Sequence, residues 1–430
     1  MQNNTHKNLV GQPTFSQIIN LLPKELFQKI VFDLGTDRYY KAFRCYDQLV
    51  TMLYGIFSRC DSMGEVCDSM RALGGKLNYL GFDIAPAKST VGDALRNRNE
   101  ELFRQFYFKL ISFFSSDLSV SRKKNRKKDV SFDEFYAFDS SVVTLFTDIM
   151  KGVGYEANGD GRKKGGLKVH MLTDIHADSP KFVNISEAVR HDMIFTEHLS
   201  FPKGSMIVFD RAYNCYLQYA KWTKGEVNFV GRLKKDAAYK VQGKPMYKKT
   251  LGADEHGVFK VEHIHLEYTE LVEVKPDRLV KEAYISQTKT LCLRLVHYKD
   301  KSGRTYEFIT NNWDISPEEV ALCYKYRWTI ETTFKKLKQN FQLTYFYSET
   351  ENGIKTQIWC TLIAYLLLQV IQIRSESNKA FSTIAALIRM HLISHLSLFW
   401  IVTEGRKSYP KSEHRRNKSP TGIQLLIPVE

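Results

Sequence analysis

Residues 316–340, SPEEVALCYKYRWTIETTFKKLKQN, predict one long helix around which the rest of the chain is organised. Ser316 is a favourable N-cap, Pro317 suits the first helical position, and Glu319 stands where a capping box places a carboxylate. Apolar side chains recur every three or four residues along the stretch. One face of this helix is therefore expected to be buried.

A stripe of polar side chains borders the buried face. At about 100° per residue, the four members of the stripe fall within about 60° around the helix axis. They are Tyr324, Arg327, Glu331 and Lys338. An ordinary salt-bridged helix edge would give a similar composition. Composition alone does not decide between that alternative and a functional site.

The composition indicates a globular protein with a polyanionic partner. The chain has 430 residues, 43% of them hydrophobic, and a formal net charge of +15. This length allows two or three domains and a large core. The positive charge predicts nucleic acid as the first candidate partner and a membrane surface as the second. The seven cysteines are scattered without a CxxC pair, which predicts neither disulfides nor a zinc knuckle and fits a reducing cytoplasm.

One apolar stretch has the composition of a membrane span. Residues 358–373 read IWCTLIAYLLLQVIQI, which is short for a bilayer and includes Gln369 and Gln372. A buried core helix is the preferred interpretation, and no membrane partner is expected. The first residues, MQNNTHKNLV, are polar and lack the apolar core of a signal peptide.

Two aspartates directly follow apolar runs. Asp139 follows residues 135–138, and Asp210 follows residues 206–209, so each is predicted at the tip of a strand. Together with Glu331 they would supply three carboxylates from three elements. Mg²⁺ prefers oxygen ligands, and two such ions can serve phosphodiester chemistry. The alternative is that each aspartate is an ordinary turn residue or helix cap.

The order of the predicted elements indicates the fold class. Three strands and a helix at residues 191–199 precede the strand that ends at Asp210, and a fifth strand is predicted at residues 227–233. From about residue 234 to 312 the hydrophobic period changes to two. The predicted class is α/β, an RNase H-like mixed sheet with a β-rich insertion before the glutamate helix. An all-α N-terminal part precedes it.

These residues carry a resemblance to a known family. The polar stripe matches the YREK signature of bacterial insertion-sequence transposases, and residues 135–368 resemble the DDE transposases of insertion-sequence family four. The resemblance implies three catalytic carboxylates that bind two divalent metal ions, Mg²⁺ with Mn²⁺ as the alternative. They are Asp139, Asp210 and Glu331. It also implies contacts to DNA phosphate by Tyr324, Arg327 and Lys338.

The function implied by the resemblance is DNA transposition. Such a protein binds the terminal inverted repeats of its element, cleaves at the ends, and joins the 3′-hydroxyl ends to target DNA. The implied assembly is at least a homodimer on double-stranded DNA, in a cytoplasmic, nucleoid-associated location. Two alternatives remain open. One is a catalytically inactive, transposase-derived DNA-binding protein, and the other is a different RNase H-like DNA nuclease.

The composition shifts along the chain predict six segments. The basic run RKKNRKK at residues 122–128 predicts the first boundary. The segments are a helical DNA-binding domain (1–120), a basic linker (121–132), the first part of the catalytic domain (133–234), the β-rich insertion (235–312), the second part of the catalytic domain (313–405) and a basic tail (406–430).

Overall fold

The computed structural model describes residues 9–144, 154–156, 163–187, 196, 199–252, 255–273, 284–341, 343 and 345–403. Within these ranges the chain combines an N-terminal set of helices with a large mixed sheet and further helices. This architecture confirms the predicted α/β, RNase H-like fold class with an all-α N-terminal part.

In the described N-terminal part, seven α-helices and one 3₁₀ helix (Gly74–Leu80) are present. The α-helices are α1 (Thr14–Ile19), α2 (Lys24–Leu34), α3 (Cys45–Ser58), α4 (Met63–Arg71), α5 (Lys88–Asn97), α6 (Glu101–Phe113) and α7 (Ser115–Asn125). The sequence patterns predicted α1, α2, α3, α5 and α6, but not α4 or α7. Helix α4 is short, and its start is fixed by the Ser62 hydroxyl, which accepts a hydrogen bond from the Glu65 N–H at 3.2 Å.

Helix α7 includes residues 122–125, the first part of the basic run. The prediction of a linker from residue 121 is wrong as far as Asn125, because the helix continues to that residue. Arg122 is also not a solvated linker residue. Its guanidinium forms ion pairs with Glu134 at 2.9 Å and with Asp174 at 3.2 Å, and these pairs connect α7 to the sheet.

The described strands form one sheet. They are β1 (Phe135–Thr144), β2 (Gly154–Glu156), β3 (Lys163–Asp174), β4 (Ser179–Glu187), β5 (Met206–Phe209), β6 (Asn228–Arg232), β7 (Lys240–Lys248), β8 (Gly257–Glu273), β9 (Tyr284–Lys299) and β10 (Thr305–Thr310). The order is β2-β3-β1-β5-β6-β10-β9-β8-β7, and β4 pairs with β3. The pairs β1–β5 and β5–β6 are parallel, and the others are antiparallel.

The predicted β-rich insertion is present as strands β7 to β10. It is not a separate sheet, because β10 pairs with β6 and thereby extends the sheet that carries Asp139 and Asp210. Most of the predicted helix at residues 191–199 lies outside the described residues, as does the predicted basic tail at 406–430. Strand β5 has the bounds that the sequence predicted.

Residues 316–340 form two helices rather than the single predicted one. They are α9 (Pro317–Lys325) and α10 (Trp328–Asn340). Helix α8 (Tyr216–Lys224) lies earlier in the chain, after β5. At the break, tighter bonds to the third preceding residue appear, such as Arg327 N–H to the Tyr324 carbonyl at 3.0 Å. Neither glycine nor proline marks this break in the sequence.

The start of α9 also differs from the sequence prediction in one contact. The Ser316 hydroxyl accepts a hydrogen bond from the Glu319 N–H at 3.1 Å, as predicted for an N-cap. The Glu319 carboxylate does not complete a capping box. It accepts a hydrogen bond from the Ser131 N–H at 2.7 Å and so connects α9 to the segment before β1.

The apolar stretch forms the C-terminal two thirds of helix α11 (Glu351–Arg374). Among the described helices it alone has the length and composition to cross a membrane, yet 89% of its apolar window is buried inside the protein. Trp359 donates a hydrogen bond to Glu100 at 2.7 Å, and Arg374 pairs with Asp117 at 3.0 Å. Helix α11 therefore packs directly against the N-terminal helices.

Two shorter helices follow α11. The sequence predicted one helix at about residues 380–402, whereas the structure has α12 (Phe381–Met390) and α13 (Leu398–Thr403). Buried side chains of α3, α6, α11 and α12 belong to one hydrophobic core that also reaches the inner face of β1 and β3. The glutamate helix α10 is held against that core through Ile330, Phe334 and Leu337.

Candidate active site

The two aspartates lie side by side on neighbouring strands. Strands β1 and β5 are parallel with Phe138 beside Phe209, so the next residues, Asp139 and Asp210, are level with each other. Adjacent strands are about 4.8 Å apart, and level residues project to the same face of a sheet. The sheet therefore brings the two carboxylates together on one face.

Asp139 is not at a strand tip, in contrast to the prediction. Strand β1 continues through Thr144, because the residues after Asp139 pair with β3, for example Val142 with Lys168. This pairing is a tertiary contact that the local sequence does not indicate. Asp210 does lie directly after the end of β5, as predicted.

Asp210 makes a contact that an ordinary helix cap would not make. Its side chain forms no cap hydrogen bond to the short 3₁₀ helix Arg211–Tyr213 that follows it. Instead, one carboxylate oxygen accepts a hydrogen bond from the Tyr324 hydroxyl at 3.3 Å. The end of β5 and the end of α9 are connected in this way.

Arg327 bridges the other two carboxylates. Its Nη1 lies 2.9 Å from Oδ2 of Asp139, and its Nη2 lies 2.6 Å from Oε1 of Glu331. The guanidinium carbon is 5.6 Å from the centre of the Tyr324 ring. Only 10% of the Arg327 side chain is exposed. Arg327 thus pairs with Asp139 and Glu331 and lies near the ring of Tyr324, whose hydroxyl binds Asp210.

Burial has the largest single effect on the pKa of Asp139 and on that of Arg327. It raises the pKa of Asp139 to about 6, against the lowering effects of Arg327 and of the Ser140 N–H, while the charges of Asp210 and Glu331 add to the increase. Burial alone would lower the pKa of Arg327, but Tyr324, Asp139 and Glu331 raise it above its usual range. The arginine therefore stays positively charged.

Tyr324 and Lys338 complete the polar surface. Burial is the main reason that the pKa of Tyr324 rises to about 12, so its hydroxyl remains a neutral hydrogen-bond donor. Burial lowers the pKa of Lys338, whose Nζ donates to the Val142 carbonyl at 3.3 Å. Lys338 lines a cleft of about 350 Å³ together with Asp139 and Glu331. Glu331 and Lys338 of the predicted stripe therefore line this cleft, and Arg327 is connected to it through its ion pair with Glu331.

A larger cleft of about 850 Å³ opens on the other side of Asp210. Arg232 and Tyr306 form part of its wall, with the guanidinium carbon 5.0 Å from the ring centre. Trp328, which is 61% exposed, lies at its rim. Tyr324 and Arg327 of the predicted stripe also line this cleft, but no sequence pattern predicted the part formed by Arg232 and Tyr306. The available signal was the cationic end of β6, where Arg232 is followed by Lys234 and Lys235.

A family model for the transposase DDE domain matches residues 131–367, which is more than half of the chain and includes all three carboxylates. The chain belongs to the DDE transposases. Together with the relatives described next, the match identifies this transposase as a member of insertion-sequence family four. A second model, for a domain of unknown function, matches residues 10–83.

Several transposases from bacteria are similar to this chain. A putative transposase y4zB of Sinorhizobium fredii is 26% identical over 50% of this chain and 55% of its own length. A probable transposase for insertion sequence element IS5377 of Geobacillus stearothermophilus is 25% identical over 61% and 63%. A putative transposase for IS4SA of Synechocystis sp. is 25% identical over 72% and 78%. The match thus spans less than two thirds of the first two relatives.

One solved structure has a partly similar course of the chain. It is the piggyBac transposase in a synaptic complex with hairpin DNA, with a TM-score of 0.41, 11% identity, and coverage of 92% of this chain and 81% of the other. At this score the likeness carries no weight in the assignment.

The residues present fit the divalent metal on which DDE transposases generally depend. Three carboxylates supply the oxygen ligands that Mg²⁺ and Mn²⁺ prefer. In the described part of the chain, the ion pair of the largely buried Asp139 carboxylate is with Arg327, which it shares with Glu331. Among the described residues, no three acidic, histidine or cysteine side chains are arranged as a ready metal cage. Arg327 instead holds two of the candidate ligands.

Proposed function

We propose that this DDE transposase binds the terminal inverted repeats of its element, cleaves the DNA at the element ends, and joins the 3′-hydroxyl ends to target DNA. The observations that carry the proposal are the ion pairs of Arg327 with Asp139 and Glu331, and the hydrogen bond of the neighbouring Tyr324 to Asp210. Strands and a helix supply these side chains, which suits a site that must hold its geometry.

Asp139, Asp210 and Glu331 are the residues that would hold two divalent ions, Mg²⁺ or Mn²⁺. Such ions, when bound, activate the attacking oxygen and stabilise the leaving oxygen in phosphoryl transfer. The chain itself positions the carboxylates. The β1–β5 pairing sets the two aspartates level, and Arg327 keeps Glu331 next to Asp139.

The cations and the tyrosine of the polar stripe would hold the DNA backbone. The guanidinium of Arg327 is planar, positively charged and held in place, and such a group can donate two parallel hydrogen bonds to a phosphate. Tyr324 offers a neutral hydroxyl beside Asp210, and Lys338 offers an ammonium at the edge of the cleft next to Asp139. These three residues are our proposed phosphate contacts near the cleaved end.

The remaining parts of the function concern the assembly. We assign recognition of the terminal repeats to the N-terminal helices, within the predicted domain 1–120, and a homodimer to the complex of two ends. The net charge of +15 supports a duplex DNA partner and a nucleoid-associated location in the cytoplasm.

Replacement of Glu331 by glutamine tests the catalytic assignment. The change keeps the side-chain volume but removes a negative charge and a carboxylate ligand. Changes further from a metal already cost about 10- to 100-fold in metal affinity or activity, so Glu331→Gln should lower strand cleavage at least that much. Binding of end-bearing DNA should survive. Gel shift and cleavage with Mg²⁺ or Mn²⁺ measure the two separately.

Glu351→Gln is the matched control. Like Glu331, Glu351 lies in the first turn of a helix and pairs with a cation four residues away in sequence. Its partner is Lys355, at 2.6 Å. This variant should cleave like the parent. Equal cleavage by Glu331→Gln and the parent would refute the assignment of Glu331. Binding by all three proteins with cleavage by none would favour the inactive, transposase-derived DNA-binding protein.

A further inference from the structure

The insertion extends the edge of the sheet at which Asp210 lies. Strands β5 and β6 are parallel, so both end at this edge. From β6 to β7 the pairs are antiparallel, in the order β6-β10-β9-β8-β7. Strands β6, β9 and β7 therefore point the same way, and the segments that follow them all emerge at the edge of Asp210.

Those emerging segments are basic. Their exposed cations are Lys234 and Lys235 after β6, Lys301 and Arg304 after β9, and Lys248 and Lys249 at the end of β7. We call these six residues the basic edge. The first two line a cleft of about 340 Å³ with Asp210, and the next two line the 850 Å³ cleft that also includes Asp210. The basic edge is thus continuous with the candidate active site.

A single row of paired residues measures the length of this edge. Gly231 lies beside Phe209, so Arg232 is level with Asp210. From Arg232 the row passes through Phe308, Val296 and Val261 to Tyr247. Counted from Asp210, the row has five strand-to-strand steps of about 4.8 Å each, so Tyr247 lies about 24 Å from Asp210. Lys248 follows Tyr247 directly, so the far end of the basic edge is level with Asp210.

Asp236, Asp300 and Glu255 lie among these cations, but few of the cations are held in ion pairs. Among the described residues, one member of the basic edge has an ion pair, Lys249 with Glu255 at 3.5 Å. The nearby carboxylate of Asp300 is occupied by its own turn, because it accepts hydrogen bonds from the N–H groups of Ser302 and Arg304 at 2.8 and 2.9 Å. The cations are therefore available to an external polyanion.

We propose that the basic edge binds the DNA duplex that is cleaved, along about seven base pairs on one side of the scissile phosphate. This inference rests on the proposed function and assigns the β-rich insertion a substrate-binding role. The length follows from the 24 Å row and a rise of about 3.4 Å per base pair. The cleaved duplex is the occupant because the edge begins at Asp210.

The far pair of cations provides the sharpest test. Lys248→Ala with Lys249→Ala removes two charges about 24 Å from Asp210 and leaves every candidate catalytic residue in place. Each lost phosphate contact lowers the slope of log K against log salt by about 0.9, so the double variant should lose about two in slope. Both side chains are exposed, and an unchanged melting temperature confirms folding.

Duplexes of different length locate the contact. For the parent, shortening end-bearing DNA on one side of the cleavage position from about twelve to about four base pairs should weaken binding roughly tenfold. The double variant should bind the long duplex as weakly as the parent binds the short one. The control is Lys221→Ala with Lys224→Ala, two exposed lysines of α8 next to the opposite edge of the sheet, which should keep the length dependence.

Three outcomes would overturn the proposal. If the far-pair variant keeps the parental slope and length dependence, the basic edge does not bind the cleaved duplex. If it binds ends normally but fails only to capture target DNA, the occupant is the target. If the parent itself neither binds nor cleaves end-bearing DNA, the proposed function fails first, and the role of the basic edge fails with it.

Discussion

Arg327 occupies an unusual position for a residue expected to contact DNA. It is buried, and both of its terminal nitrogens pair with candidate metal ligands. Its Nε is buried without a hydrogen-bond partner among the described residues. A buried cation that loses its partners is strongly destabilising. Arg327 therefore stabilises the carboxylates when no other positive charge is near.

The protonation of Asp139 leads to an expected pH dependence of stability. Its pKa is about 6 in the folded chain, compared with about 3.9 for an ordinary aspartate. Because the folded value is raised, the stabilising contribution is fully present below about pH 4 and is lost as the pH rises through 6. The loss is roughly 3 kcal/mol for a shift of about two units.

Asp139→Asn should remove this dependence, because an amide does not titrate. In urea unfolding with a metal chelator, the variant should gain stability relative to the parent between pH 4 and pH 7. A difference between the two proteins that stays constant over this range would contradict the raised pKa of Asp139.

At the scale of the element, helix α10 is fixed from the side opposite to Glu331 by the β3–β4 turn. Asp178 in this turn accepts hydrogen bonds from Thr333 at 3.3 Å and from the Lys336 ammonium. Its own carbonyl accepts from Gln369 of α11 at 2.7 Å. Asp178 has a φ of 51°, in the left-handed region that aspartate tolerates better than most residues. One turn residue thus connects the sheet to two helices.

We expect Asp178→Ala to destabilise the protein by about 2–3 kcal/mol. The change removes the acceptor for the Lys336 ammonium. It also places alanine, which has no side-chain hydrogen bond to offset the strain, at a positive φ. Asp178→Asn keeps an acceptor oxygen and the tolerance for this backbone conformation, and should cost about half as much or less. Denaturant midpoints measure both. Equal midpoints for the alanine variant and the parent would show that the turn does not fix α10.

Sequence patterns identified most elements but not their connections. The apolar run before Asp210 predicted β5 to the residue, since a fully buried strand is a continuous apolar run. The break before α10 was missed because it depends on tight bonding around Tyr326 rather than on glycine or proline. The role of Asp178 was missed because a single turn residue has no periodicity. The carboxylate of Glu319 binds Ser131 in a tertiary contact that spacing cannot predict.

For the molecule as a whole, the shared core predicts coupled unfolding of the N-terminal helices and the sheet. Trp359 of α11 is 2% exposed, and its ring centre lies 5.8 Å from that of Tyr107 and 5.9 Å from that of Phe108. Its N–H bonds to Glu100, whose pKa is raised by burial. The contact surface between the N-terminal helices and α11 is therefore both apolar and hydrogen-bonded.

Trp359→Ala should destabilise the protein by about 3–5 kcal/mol, as expected for a large side chain removed from a core. Hydrogen exchange should accelerate by similar factors in α3 and in β5, since both contribute to the same hydrophobic core. Trp328→Ala, at a largely exposed tryptophan, should change stability by about 0.5 kcal/mol or less. Faster exchange in the N-terminal helices alone would show that they open independently.

The position of α11 in the core also determines when the N-terminal helices can complete their packing during synthesis. Roughly 240 residues separate the end of α6 from the start of α11, so a ribosome working at about 5–20 residues per second delivers α11 some 12–50 s after its partners. Until then, the apolar faces of α3 and α6 lack the helix that covers them. We expect the nascent N-terminal segment to be a chaperone client, and its burial to complete only when translation has passed residue 374.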